Sequence, residues 1–167
     1  MVVMVLVGCT PLGGAPGTTP TTAVSSQPSG GLANRPQPPA AWLSIGVHLY
    51  PATAGSFCYQ GGCVDMVPPE MMPDLATATV PPAARPVIHI SAIDVVGLEA
   101  TVRPWPKQPP VDASTARRLQ AHGERQGAAT LYTLEPIGAG REQLLMAAVR
   151  FAQGGDASYF WRLNPTK

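Results

Sequence analysis

Cys58 and Cys63 are the side chains in this 167-residue chain whose type and spacing point most directly to a reaction, the formation of a disulfide with each other. They bracket Tyr59-Gln60-Gly61-Gly62. A two-residue turn at Gln60-Gly61 sets Tyr59 opposite Gly62 as the hydrogen-bonded closing pair and Cys58 opposite Cys63 in a non-hydrogen-bonded pair. In that register the Cα atoms approach to about 4.5 Å, within the roughly 4.4–6.8 Å that a disulfide tolerates. Closing so small a loop contributes on the order of 2 kcal/mol, enough to pin a hairpin but not a whole domain. The same spacing also suits half of a structural zinc site or a redox dithiol. For zinc the chain offers no second cysteine pair, and His48, His89 and His122 are scattered.

A second group of candidate ligands follows in Val64-Asp65-Met66-Val67-Pro68-Pro69-Glu70-Met71-Met72-Pro73. Thioethers outside the cytoplasm can hold Cu(I), so Met66, Met71 and Met72 with His48 or His89 would form a copper site in a sandwich similar to the cupredoxins. The ordered Cys, His and Met spacing of blue-copper proteins is absent, and loop methionines more often fill packing gaps. Asp65, Glu70 and Asp74 are candidate carboxylates for calcium or for a hydrolase. They lack EF-hand spacing, and an acid pair is chosen by geometry rather than by sequence. The chain carries no Gly-x-Ser-x-Gly, phosphate-binding glycine loop or His-Glu-x-x-His. This reading assigns no catalytic residue and no cofactor. It takes Trp105, Tyr159 and Trp161 as the candidate partner-binding aromatics, with Trp105 as a lid on one end of a sandwich being the alternative.

The elements that would position these residues are mostly strands. Leu43, Ile45, Val47 and Leu49 alternate with Ser44, Gly46 and His48, the pattern of one half-buried strand. Val87–Ile90 is a β-branched run, Gly97–Arg103 alternates, and Thr130–Leu134 is a further strand. Gln143–Ala152, a turn at Gln153-Gly154-Gly155-Asp156, and Ala157–Leu163 predict an antiparallel hairpin. Arg141–Ala152 would also satisfy a helical period, but a glycine pair leading straight into an aromatic strand favours the hairpin. Tyr159, Trp161 and Leu163 share its continuously apolar or aromatic face. Val111–Gly123 breaks the pattern, with Asp112 or Ser114 as possible caps and a glycine stop. Leu119 is its one large apolar residue after Val111, so a short surface helix or a mobile loop is expected there.

The N-terminus points to an address. Leu6-Val7-Gly8-Cys9, an apolar run closed by a small residue and a cysteine, resembles the lipobox of bacterial lipoproteins. That resemblance implies removal of residues 1–8 as a signal-peptide remnant and acylation of Cys9, with a lipid bilayer as partner. Each buried acyl methylene contributes about 0.8 kcal/mol, and two or more chains hold a protein stably. No lysine or arginine precedes the run, so the expected translation start lies upstream. From Thr10 to Ala40, 20 of 31 residues are Pro, Gly, Ser or Thr and Arg35 is the single charge. Such a tract cannot offset the roughly 1–2 kcal/mol per residue of backbone ordering, so residues 9–40 are expected to be a disordered tether.

Residues 41–167 have the size of one domain. Setting Arg35 aside, ten of the 11 basic residues remain against 10 acidic ones, so the domain is formally neutral and offers no electrostatic reason to bind nucleic acid. Gly55-Ser56-Phe57-Cys58 through Cys63, and Gly154-Gly155-Asp156-Ala157-Ser158-Tyr159 leading into the last strand, resemble the small Ig-like domains that many bacterial lipoproteins carry beyond a tether. The expectation is an all-β, Ig-like antiparallel sandwich of about seven strands. It would be held at the extracytoplasmic side of the cell envelope as a non-enzymatic module that binds or modulates an envelope protein or cell-surface ligand. An extracytoplasmic copper binder and a carboxylate-dependent hydrolase are the alternatives.

Overall fold

Glycine and proline punctuate this chain so often that the β-branched and aromatic runs between them form mostly short strands. The computed structural model describes residues 36–72, 74–105 and 115–166. Within them the chain forms an all-β sandwich of two sheets. There are twelve strands among the described residues, against about seven expected.

Numbered in chain order, the five-stranded sheet runs β2 (His48–Pro51), β1 (Ala41–Ile45), β6 (Val87–Ile90), β10 (Ala129–Leu134), β9 (Ala121–Gln126), all neighbours antiparallel. The seven-stranded sheet runs β4 (Gly62–Val64), β3 (Thr53–Tyr59), β12 (Gly155–Pro165), β11 (Gln143–Phe151), β7 (Val95–Pro104), β8 (Arg117–Leu119). Its remaining strand, β5 (Thr77–Val80), lies parallel to β12 at Arg162–Pro165, beyond the stretch of β12 that pairs with β3.

Both hairpins expected from local turn chemistry are present. Tyr59 faces Gly62 and Cys58 faces Cys63, whose Cα atoms are 4.0 Å apart and whose sulfurs are bonded. Gln60 and Gly61 both have positive φ, 47° and 79°, as the tight turn between them requires. β11 and β12 pair from Gln143 opposite Leu163 to Arg150 opposite Asp156, so the ambiguous stretch Arg141–Ala152 resolves as strand over Gln143–Phe151.

Two expectations are corrected. Leu43 to Leu49 is not one strand: Gly46, at φ 60°, turns the chain, Ile45 pairs with His48, and Val47 and Leu49 are left 93% and 63% exposed. The expected helix or loop before Gly123 is instead the pair β8 and β9 from Arg117 onward; residues 111–114 lie outside the described residues. One leucine is too little to dock a helix, but on a strand Leu119 alternates with exposed neighbours and drops into the core.

The core is the sum of the two inner faces. Leu43, Ile45, Ile88, Ile90 and Leu134 come from the smaller sheet, and Val102, Leu145, Val149, Tyr159, Trp161 and Leu163 from the larger. Each large side chain fully withdrawn from water contributes roughly 1.5–3 kcal/mol. The two polar aromatics also need partners in this setting. Trp161 Nε1 donates to the Tyr50 carbonyl at 3.1 Å, and the Tyr159 hydroxyl donates to the Pro39 carbonyl just ahead of β1. Both bonds run from β12 of one sheet to the backbone of the other sheet or its lead-in.

Replacing Trp161→Phe keeps an aromatic ring but removes the bond to the Tyr50 carbonyl, and should lower unfolding free energy by about 0.5–1.5 kcal/mol in urea titrations. Burial, and next the nearby Tyr59, push the Tyr159 hydroxyl above its ordinary pKa. The folded state therefore favours the neutral phenol. The stability this group contributes is intact below about pH 10, where the unfolded phenol titrates, and is lost as pH rises further. Thermal melts should show a shallower alkaline decline for Tyr159→Phe than for the parent chain.

Candidate binding surface

The two outer faces of the sandwich are treated differently by the chain. On the larger sheet, Arg103 of β7, Leu144 of β11 and Arg162 of β12 form one cross-strand row on the side opposite the core. Leu144 is 1% exposed and Phe160, on the same face, 7%. The chain from Asp65 to Met72, the strap, is tied to this same face. Its Met66 N–H donates to Ser56 Oγ of β3 at 3.0 Å, and Glu70, in the 3-10 turn Pro69–Met71, is ion-paired with Arg103. Gly55 lets Phe160 lie against β3, since a Cβ there would collide with the ring. Trp105 closes the end of the same face. Its N–H donates to the Glu142 carbonyl at 2.8 Å, and its ring lies 4.9 Å from the Arg162 guanidinium carbon, which is also paired with Glu142 at 2.6 Å. Removal from water lowers the Arg103 pKa, and Glu70 is the carboxylate that compensates it.

This accounts for most of the candidate residues. Tyr159 and Trp161 are 1% and 0% exposed, so the correction is that they are core residues with their polar tips used internally, not surface contacts. Trp105 remains half-buried at the surface, stacked on Arg162. Met66 and Met71 are exposed on the strap beside the larger sheet, whereas His89 and His48 belong to the smaller one. The thioethers and imidazoles are thus not brought together. Among the described residues no three His, Cys, Asp or Glu side chains converge as a metal site. Glu70 is committed to Arg103, while Asp65 and Asp74 face solvent. Cys9 lies outside the described residues.

The outer face of the smaller sheet has no strap among the described residues. Strand pairing aligns Pro51, Trp42, His89, Leu131 and Glu124 in one row across all five strands. The next outward row is Leu49, Ser44, Val87, Thr133 and His122. Ser44 Oγ and His89 Nε2 are 2.9 Å apart, so the imidazole is oriented by its diagonal neighbour. The result is a mixed face: Trp42 and Leu131 flank His89 on the central strand, Ser44 and Thr133 flank Val87, and Leu49, Pro51, His122 and Glu124 lie on the two edge strands. Alternation in each strand signals outward residues, but only the pairing shows that Trp42, Val87 and Leu131 are gathered around His89 on one face.

A concavity, a groove of about 480 Å³, opens on the larger sheet where Gly97 and Ala148 are small, between Arg118 and Arg150. It is polar, and Glu99 pairs with Arg118 within it at 2.6 Å. Comparison with protein-family models, with curated proteins and with solved structures found no match for this chain.

The strap depends on one buried ion pair, with side-chain exposures of 19% for Arg103 and 7% for Glu70. Breaking such a pair from one side costs about 3–5 kcal/mol. Glu70→Gln should therefore destabilise the domain on that scale in chemical denaturation, and should speed proteolytic nicking between Asp65 and Met72 before global unfolding.

Proposed function

We propose that this chain is a lipid-anchored extracytoplasmic protein whose β-sandwich acts as a non-enzymatic binding module. Its binding surface in this reading is the outer face of the five-stranded sheet. The observation that carries it is the asymmetry of the two outer faces. The chain ties Asp65–Met72 and Trp105 to the face where Leu144 and Phe160 are buried, whereas on the other face Trp42, Val87 and Leu131 are only half-buried and Leu49 and the adjoining Val47 are 63% and 93% exposed. Unsatisfied apolar surface of this kind, set among polar groups, is characteristic of interaction sites.

Two features support the location. Leu6-Val7-Gly8-Cys9 resembles a lipobox, and disulfides such as Cys58–Cys63 persist in oxidising compartments. The partner in this reading is an envelope protein or a cell-surface ligand. Formal neutrality from Trp42 onward speaks against nucleic acid.

Intact-mass analysis of the protein from its native host tests the anchor: a chain beginning at an acylated Cys9, with Cys58 and Cys63 oxidised, is expected. An unprocessed N-terminus with a free Cys9 thiol would overturn it. For the surface, a photo-crosslinking side chain at Leu131 should capture one defined envelope component, and the same group at Arg150 on the other sheet should not. Equal capture from both positions, or none from Leu131, removes the assignment.

A further inference from the structure

We infer that β9 is a self-pairing edge, through which two copies of this chain join their five-stranded sheets into one. Every open sheet has edges, and chains usually blunt them by keeping them short, by proline or by bulges. Here β4 and β8 are three residues each, β5 is four, and β2 is four and ends in Pro51. β9 is different. It is six residues long, without proline, pairs with β10 in unbroken register, and is exposed from His122 to Gln126.

Its backbone polarity follows from the hairpin. Gln126 and Ala129 flank the turn at Gly127-Ala128 and form its closing pair, and at the other end Glu135 N–H donates to the Gln120 carbonyl. Residues 120, 122, 124 and 126 therefore bond toward β10, and Ala121, Gly123 and Arg125 turn their N–H and C=O groups outward.

Antiparallel pairing of two such edges must match outward groups with outward groups, which leaves few two-fold registers. Centring on Glu124 sets two carboxylates against each other, centring on Arg125 sets two guanidiniums together, and centring on His122 sets imidazole on imidazole and shortens the overlap. Centring on Gly123 avoids all three. It pairs residues 120–126 of both copies, sets each His122 opposite the partner copy's Glu124, and sets each Arg125 opposite an alanine. Three outward pairs then exchange about six backbone hydrogen bonds, and two complementary side-chain pairs sit in close non-hydrogen-bonded positions. A second copy of this chain is thus the occupant whose charge pattern the edge complements, and the outer face bearing Trp42 and Leu131 becomes continuous across ten strands.

The test uses the full chain in sedimentation velocity from micromolar to near-millimolar concentration, with oxidative crosslinking read by peptide mass spectrometry. A reversible dimer is expected. Mixing His122→Cys with Glu124→Cys chains should give a 122–124 crosslink that neither variant forms alone. Glu124→Arg should weaken the dimer by about tenfold or more, and His122→Glu combined with Glu124→His should restore it, with melting curves confirming that each variant is folded. A monomer at every concentration, a dimer crosslinked through any other register, crosslinks only to a different protein, or a dimer indifferent to Glu124→Arg would each overturn the proposal.

Discussion

The sandwich depends on finding acceptors for two buried donors on β12. Tyr159, Trp161 and Leu163 occupy the middle of the core, and a ring of that size is admitted only if its N–H or O–H is satisfied away from water. The carbonyls of Tyr50 and Pro39 meet that need, and both belong to the smaller sheet or the chain entering it. Apolar packing alone would let two sheets slide over each other. Directional bonds from adjacent inward positions of one strand fix where β1 and β2 must lie over β12. The strand itself is held along its whole length, by β11 on one side and by β3 and then β5 on the other.

What was legible in the sequence was local. The Gln60-Gly61 turn dictates its own register, so the cysteine pairing follows from a few residues, and the glycine pair at 154 and 155 does the same for the last hairpin. What was not legible depends on partners distant in the chain. Alternation from Leu43 to Leu49 reads as continuous until Gly46 is placed in a turn. The pairing of Thr77–Val80 with Arg162–Pro165 spans more than eighty positions and leaves no local trace. Aromatic character at Tyr159 and Trp161 suits a contact surface as well as a core, and the carbonyls that decide between the two come from Pro39 and Tyr50.

The strap illustrates the same limit at the level of function. Its sequence offers methionines and carboxylates that suggest ligand chemistry, but the fold uses Glu70 to neutralise Arg103 and the backbone to bridge Ser56. The larger sheet also buries Leu144 and Phe160 on this side, outside the main core. That leaves the two outer surfaces chemically unequal, although both grow from strands of similar alternation. The residues that distinguish them, Trp42, Val87 and Leu131, were unremarkable one by one and become a surface only in register.

The path of Pro36 to Ala40 carries a mechanical consequence. Pro36 lies beside Gly62, the Pro39 carbonyl accepts a hydrogen bond from the Tyr159 hydroxyl, and the Ala40 carbonyl accepts from the Ser91 N–H before the chain becomes β1. β1 sits between β2 and β6 and is antiparallel to both. Tension applied from the N-terminal side therefore reaches β1 along its axis and loads two ladders in shear, where bonds share the force instead of unzipping singly. A load borne on Trp42 arises on that strand itself, and one borne on Val87 reaches it through the β6 ladder within the same sheet.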